Sequence, residues 1–223
     1  MTLASGVDFE ALSATYEWPT TEHALQPHIR LNMAVTVSGD YVDEAGQSNG
    51  LSSTDDRRLL KIIRSGAQAI LVGARTIRAE GWNLPATGVL VVLTESGNLP
   101  WETCPEPDRV RVISGIKSPQ EIVQILHESG ERNILVEGGR SVARQFAAAG
   151  LFDDVCLTVN LGNERRVTDD FYNSDTALEA ALIGLLRVES GSYDLISKVG
   201  VASPPSVFTL WRRAISSPPP AAH

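Results

Sequence analysis

Between Ile29 and Ser38, apolar Leu31, Met33, Val35 and Val37 alternate with Asn32, Ala34, Thr36 and Ser38. A period of two is that of a strand with two unlike faces. A loop with Gly39, Gly46 and the Asn49-Gly50 turn signal follows. Then the period changes. Ser52 or Ser53, with Asp55 or Asp56 three residues on, has the form of a capping box with an acidic first turn. Leu59, Ile62 and Ile63 give that helix its apolar stripe, and Gly66 ends it. Ala69–Val72 and Val89–Leu93 are unbroken apolar runs and Val110–Ile113 is one interrupted only by Arg111, a pattern that suits strands covered on both faces in a parallel sheet. A short helical piece, Arg75–Glu80, follows the first run. Pro119 opens a helix through Glu121, Ile122, Ile125 and Leu126 that Gly130 ends. Asn133–Val136 reads as a strand and Ser141–Ala149 as a helix closed by Gly150.

Beyond this point strand follows strand. Val155, Leu157, Val159 and Leu161 alternate, and Leu182–Val188 and Val207–Trp211 are further strand candidates. Upstream, Phe9, Leu12 and Tyr16 are spaced as in a short amphipathic helix. A partly ordered extension over residues 1–26 fits the same weak pattern equally well. The Pro-rich tail, residues 216–223, is expected to be disordered. The pattern predicts one α/β domain over residues 27–215: a mixed, mostly parallel central sheet flanked by helices, with an antiparallel C-terminal end.

Composition adds limits. A chain of 223 residues, 43% hydrophobic and 21% charged, can bury a core without disulfide or metal staples. Cys104 and Cys156 match no zinc or redox spacing and the four histidines are scattered, so no metal site is expected. A formal net charge of −8 argues against a nucleic-acid footprint. No apolar run approaches about 20 residues, so no membrane span is expected. The first 29 residues lack the Lys or Arg of a signal peptide. The expectation is a soluble, cytoplasmic protein.

The sharpest candidate for chemistry is Glu137-Gly138-Gly139-Arg140-Ser141, between a buried strand and a helix. Such a junction exposes backbone N–H groups at the positive end of the helix dipole. Gly138 and Gly139 would let a phosphate approach the backbone, and on that reading Gly138→Val blocks ligand binding and spares the fold. Glu137 would face the crevice at the carboxyl end of its strand. A tight turn with glycines for backbone geometry is the competing reading. Gly73-Ala74-Arg75-Thr76, with Glu80 beyond, forms a second strand-to-helix junction. Arg64 could clamp a phosphate in two-pronged fashion, although an Arg in a last helical turn more often serves the dipole. No G-x-S-x-G occurs, which disfavours a covalent hydrolase.

In series, His28-Ile29-Arg30-Leu31-Asn32-Met33-Ala34, Asp56-Arg57-Arg58 through Arg64, Ala69 through Gly81, Ile134-Leu135-Val136-Glu137-Gly138-Gly139 and Ala149 through Asp154 resemble the reductase family of riboflavin biosynthesis, the RibD C-terminal-domain type. The resemblance covers residues 27–162 well. It implies a dihydrofolate-reductase-like fold, a homodimer and NADPH-dependent reduction, at the ribose C1′, of 5-amino-6-(5-phosphoribosylamino)uracil to its ribityl compound. It further implies that Ser48, Arg64, Leu84 and Glu137 contact the phosphorylated pyrimidine. Ala34, Thr76, Glu80, Ser114, Gly138, Gly139, Arg140, Ser141 and Val142 would contact the cofactor, and Glu137 and Asn32 would be catalytic. Asn32 stands where many members carry Lys.

Several departures bear on the substrate. Thr36-Val37-Ser38-Gly39 lacks the carboxylate common after the first strand, and Glu80-Gly81-Trp82 replaces a common Asp-Asp-Pro. Arg75 or Arg78 would have to serve for a downstream phosphate-gripping Arg. The fused deaminase motifs are absent. Two alternatives stay open: a reductase of the same fold acting on another carbonyl, imine or pterin-like compound, and a nucleotide-binding relative without turnover.

Overall fold

A computed structural model of the chain describes residues 7–20, 25–40, 53–161, 171–202 and 204–215. Gly46, Ser48, the Asn49-Gly50 turn, Ser52 and the Pro-rich tail lie outside the described residues.

The alternating segment forms β1 (His28–Thr36). It runs parallel between β5 (Asn133–Val136) and β6 (Asp154–Asn160). The three apolar runs form β2 (Ala69–Gly73), β3 (Val89–Thr94) and β4 (Val110–Ser114). With β7 (Tyr193–Ala202) and β8 (Pro205–Arg213) they make an eight-stranded sheet in the order β4-β3-β2-β5-β1-β6-β8-β7. The first six strands in that order are mutually parallel. β8 is antiparallel to β6, and β7 to β8.

Period two sorts β1 between two cores. Leu31, Met33 and Val35 join the apolar cluster under α4 (Pro119–Glu128), α5 (Arg140–Ala148) and α6 (Asp175–Leu186). The opposite face is covered by α1 (Phe9–Thr15), α2 (Thr54–Ser65) and α3 (Ala74–Glu80), which bury Phe9, Leu12, Leu59, Ile63 and Ile77. Local signals set the helix ends. Ser53 caps α2 by accepting from the Asp56 N–H at 3.0 Å, and Gly66 follows its last turn. Ser118 and Glu121 form a reciprocal capping box at the start of α4.

One expectation fails, and one strand was not anticipated. Leu182–Val188 is not a strand: Leu182–Leu186 belongs to α6, capped by Ser174 and ended by Arg187 at φ 60°. Leu178, Ala181, Leu182, Leu185 and Leu186 recur at helical spacing and are all buried. The helix is apolar nearly all round, so its stripe reads as a run. The real strand, β7, escaped notice because it is a sheet edge. Asp194 and Ile196 are exposed, polar Ser197 and Lys198 follow each other half-buried, and a register shift between Leu195 and Ser197 breaks the alternation. Among the described residues no helix is long and apolar enough to cross a membrane.

The parallel core contains one fully buried ion pair. Arg30 and Asp154 face each other across β1 and β6, Nη2 to Oδ2 at 2.8 Å, and both side chains have no solvent exposure. His28 and Arg212 also reach Asp154, each at 3.0 Å. Burial alone would raise the Asp154 pKa, but the hydrogen bonds from His28, Arg212 and Arg30 hold it well below the usual carboxylate range. Its stabilising contribution is therefore complete at neutral pH and falls away as acid carries the pH below about 4. Asp154→Asn leaves Arg30 charged and uncompensated. Urea denaturation at neutral pH should show a loss of about 3–5 kcal/mol, and the variant's stability should depend less steeply on acid.

Candidate active site

The carboxyl ends of β1, β2, β3, β4 and β5 open onto a cleft of about 670 Å³. Ligands of open parallel sheets bind at such ends, where the chain changes direction across the sheet. Here β5 inserts between β1 and β2. The turns leaving β2 and β5 send α3 to one face and α5 to the other, so two helix starts converge on the cleft. Their N-cap residues, Gly73 and Gly139, provide no side-chain cap.

The two glycines of the β5–α5 turn do different things. A Cβ built on Gly138 would lie 2.9 Å from the Gly73 nitrogen and 3.2 Å from the Val72 Cα. Gly138 is required by the packing of this turn against the end of β2, so the expectation that Gly138→Val spares the fold does not hold. Gly139 has nothing within 4 Å of a built Cβ and lines the cleft.

Glu137 extends the β5–β2 pairing, donating its N–H to the Leu71 carbonyl at 2.9 Å. Its carboxylate meets Arg64, from the last turn of α2, in a two-pronged pair: Nε to Oε1 at 2.8 Å and Nη2 to Oε2 at 2.5 Å. Arg64 Nη1 donates to Asn83 Oδ1 at 3.0 Å. The two charged side chains are 15% and 11% exposed. Burial disfavours the guanidinium's charge, but the hydrogen bonds and charge of Glu137 outweigh it and raise the Arg64 pKa. Of five guanidinium N–H donors, three are spent in this way, leaving one on each Nη for a ligand.

Asn32, Ala34, Arg64, Thr76, Glu80, Glu137, Gly139, Arg140, Ser141 and Val142 all line the cleft. Leu84 does not; it packs against the core beneath α1–α3. Ser114 also stays outside the lining, at the exposed end of β4, while Gly115, Ile116 and Lys117 just beyond it enter. Ser48 lies outside the described residues. Sequence reasoning missed Asn83, Asp56 and Lys117 as lining residues. Asp56 accepts a hydrogen bond from Thr158 Oγ1 in the sheet below. It missed Asp40 too, which pairs with Arg140 at 3.7 Å and accepts from Ser38 Oγ at 2.7 Å. Asp40 thus stands one residue after Gly39, beside Arg140 at the start of α5 and outside the cleft lining. Charge completes the site. Arg64, Arg75, Arg78, Lys117 and Arg140 line the cleft against Asp56, Glu80, Glu95 and Glu137, a slight excess of cations in a chain of net charge −8.

Residues 27–189 match the family model of the RibD C-terminal domain. The chain belongs to this family. The riboflavin biosynthesis protein RibD of Mycobacterium tuberculosis is 28% identical over 211 residues, 88% of this chain and 59% of that protein. RibD of Bacillus amyloliquefaciens is 28% identical over 164 residues, 58% of this chain and 44% of its own. The chain thus spans about half the length of the curated relatives it matches. A pyrimidine reductase-like protein of Corynebacterium diphtheriae superposes with a TM-score of 0.64 at 19% identity, over 91% of this chain and 98% of that one. The riboflavin biosynthesis reductase of Saccharomyces cerevisiae does so with a TM-score of 0.63 at 14% identity, over 93% and 100%. These two likenesses show the shared fold. The family match begins after α1 and ends before β7, so the N-terminal segment and the last hairpin are additions to what the family model covers.

The contacts of Gly138 yield a stability prediction. Gly138→Val forces a side chain into the backbone of β2 and should lower stability by at least the ~1–3 kcal/mol of an overpacked core. Thermal unfolding of the variant without ligand measures this; an unchanged Tm would return Gly138 to a role toward ligand alone.

Proposed function

We propose that this protein is an NADPH-dependent reductase of 5-amino-6-(5-phosphoribosylamino)uracil, forming the ribityl compound of riboflavin biosynthesis. The observation that carries this reading is the Arg64–Glu137 pair in the same cleft as the open turn at Gly139, in a chain of the RibD C-terminal domain family.

The cleft fits a pyridine dinucleotide. The start of α5 has no side-chain cap, and open space lies over Gly139. A pyrophosphate there would meet backbone N–H groups and the positive end of the helix dipole. Gly139, Arg140, Ser141 and Val142 would hold it, while Thr76 and Glu80 of α3 and Ala34 on the cleft floor would contact other parts of the dinucleotide. Bound there, the cofactor supplies a hydride. Preference for NADPH over NADH is supported by the cations Arg75, Arg78 and Lys117 along the lining.

The protein's own groups do the rest. Arg64 offers its two remaining N–H donors to the substrate phosphate. Glu137, fixed on both oxygens by Arg64, accepts hydrogen bonds from ribose hydroxyls and favours the open-chain iminium form at C1′. Asn32, on β1 with its side chain partly exposed in the cleft, orients the pyrimidine through its amide. Closing two ligands into one cleft excludes water and removes most of the entropy cost of their encounter. We further infer a homodimer, supported by the sheet edge β7, where Ile196 is 48% exposed.

The test is direct. Purified protein with NADPH and the ribosylaminouracil phosphate should lose NADPH absorbance only when the pyrimidine is present, with a ribityl product by mass. Tight NADPH binding without turnover would leave a nucleotide-binding protein. Turnover on other imines alone would move the substrate. Arg64→Ala should weaken the substrate by ~1.5–3 kcal/mol, the worth of a charge-assisted contact, with little effect on NADPH. Equal weakening of both ligands by calorimetry would place Arg64 in the cofactor site.

A further inference from the structure

The N-terminal segment ahead of the family match packs on α2 through Phe9 and Leu12 and reaches the end of that helix through Trp18. Trp18 donates its indole N–H to the Ile63 carbonyl at 2.7 Å. Ile63 lies in the last turn of α2, and the Ala67 N–H that would continue the helical ladder to its carbonyl donates to Arg64 instead. The ring lies over Gly66, where a built Cβ would be 2.2 Å from Trp18 Cδ1. Gly66 thus leaves room for the indole as well as ending the helix. Behind the ring stands Arg30, its Cζ 4.3 Å from the ring centroid. Arg30 Nη1 donates to the Tyr16 carbonyl at 2.7 Å and Nη2 to the Glu17 carbonyl at 3.3 Å, while Asp154 neutralises it. The indole is therefore set on a fully buried, charge-paired base and grips α2 on both sides of Arg64.

We propose that Trp18, seated on Arg30, is a positioning residue that caps the C-terminus of α2 and so aims Arg64 into the cleft. This rests on the reading that Arg64 meets the substrate phosphate. The register of the last turn decides where the guanidinium sits, and the family-matched part of the chain does not supply this external cap. Trp18 touches neither ligand; it acts through the backbone of Ile63 and Gly66.

Trp18→Phe keeps an aromatic ring over Arg30 and removes the N–H. Trp18→benzothienylalanine keeps the indole's shape and removes the N–H alone, so it stands in should the first variant not fold. Amide hydrogen exchange in the full chain, without ligand, should quicken over residues 64–67 and stay unchanged in α4. With NADPH saturating, KM for the phosphorylated pyrimidine should rise roughly two- to tenfold, the span of one hydrogen bond, with kcat and the KM for NADPH unchanged. The dephosphorylated pyrimidine should show no change. A merely structural role would instead lower kcat for both pyrimidines alike through a smaller folded fraction. Unchanged exchange at 64–67, or quickened exchange with an unchanged phosphorylated-substrate KM, overturns the proposal. If the unsubstituted protein turns over no such pyrimidine, the substrate reading has failed, and the exchange result alone decides for or against the cap.

Discussion

The close approach of two backbones at Gly138 is the constraint on which the cleft depends. The β5–α5 turn passes so near the end of β2 that a methyl group would contact the Gly73 nitrogen at 2.9 Å. That contact holds the starts of α3 and α5 side by side although the helices cover opposite faces of the sheet. It also sets Glu137 at the sheet's carboxyl end, where its N–H is tied to Leu71 and its side chain is directed to α2. A residue with any side chain at 138 would separate these parts. The cleft exists because two crossover connections leave adjacent parallel strands through a gap that only glycine fits.

Two ion pairs divide the electrostatic work. Arg30–Asp154 is sealed from solvent and holds further partners on both sides, although the buried Arg30 Nε has none. A pair of that kind contributes little net stability against an apolar substitute, yet removing one member is costly. Its physical consequence is to fix in one place what touches it, namely β1, β6 and the segment 16–18. Arg64–Glu137 sits at the edge of solvent and keeps unspent donors. It is a prearranged polar surface that offers a ligand the remaining N–H donors of Arg64 beside the carboxylate acceptor of Glu137. The same two residue types are structural in one setting and available to a ligand in the other, and exposure and partner count separate them.

Much of this architecture is legible from periodicity because parallel strands are apolar on both sides. β2, β3 and β5 are unbroken runs with Gly or Asn close to their ends. The same rule misreads α6. A helix buried on nearly every side also loses its polar stripe, and only the spacing of Leu178, Leu182 and Leu185 with the Ser174 cap distinguishes it from a run. β7 fails in the opposite direction, since an edge strand with a bulge has neither alternation nor continuity. In the site, the glycine turn, Thr76 and Arg64 are visible as local signals at strand and helix ends. Glu137 and Arg64 are 73 positions apart and Asn83 lies in a plain loop, so their convergence is a property of the sheet order alone. Gly138 shows the limit most clearly: its sequence context identifies a turn, but whether backbone or ligand fills the missing side chain is settled only by what the fold places opposite it.

The N-terminal segment follows the same logic at longer range. Phe9, Leu12 and Tyr16 are enough to dock a short helix, and a seven-residue helix is too short to persist by itself. It is held because Tyr16 and Glu17 give their carbonyls to a guanidinium already fixed in the sheet, an acceptor-for-donor match that a mobile cation could not provide at equal entropy cost. Once the segment is seated, Trp18 can satisfy a carbonyl at the end of α2 that water would otherwise take. Order therefore spreads outward from the buried Asp154 through Arg30 to the indole, and from the indole to the turn that carries Arg64. Each step exchanges a solvent contact for a fixed one, which is how a charge pair with little net stability of its own comes to determine the geometry of a distant site.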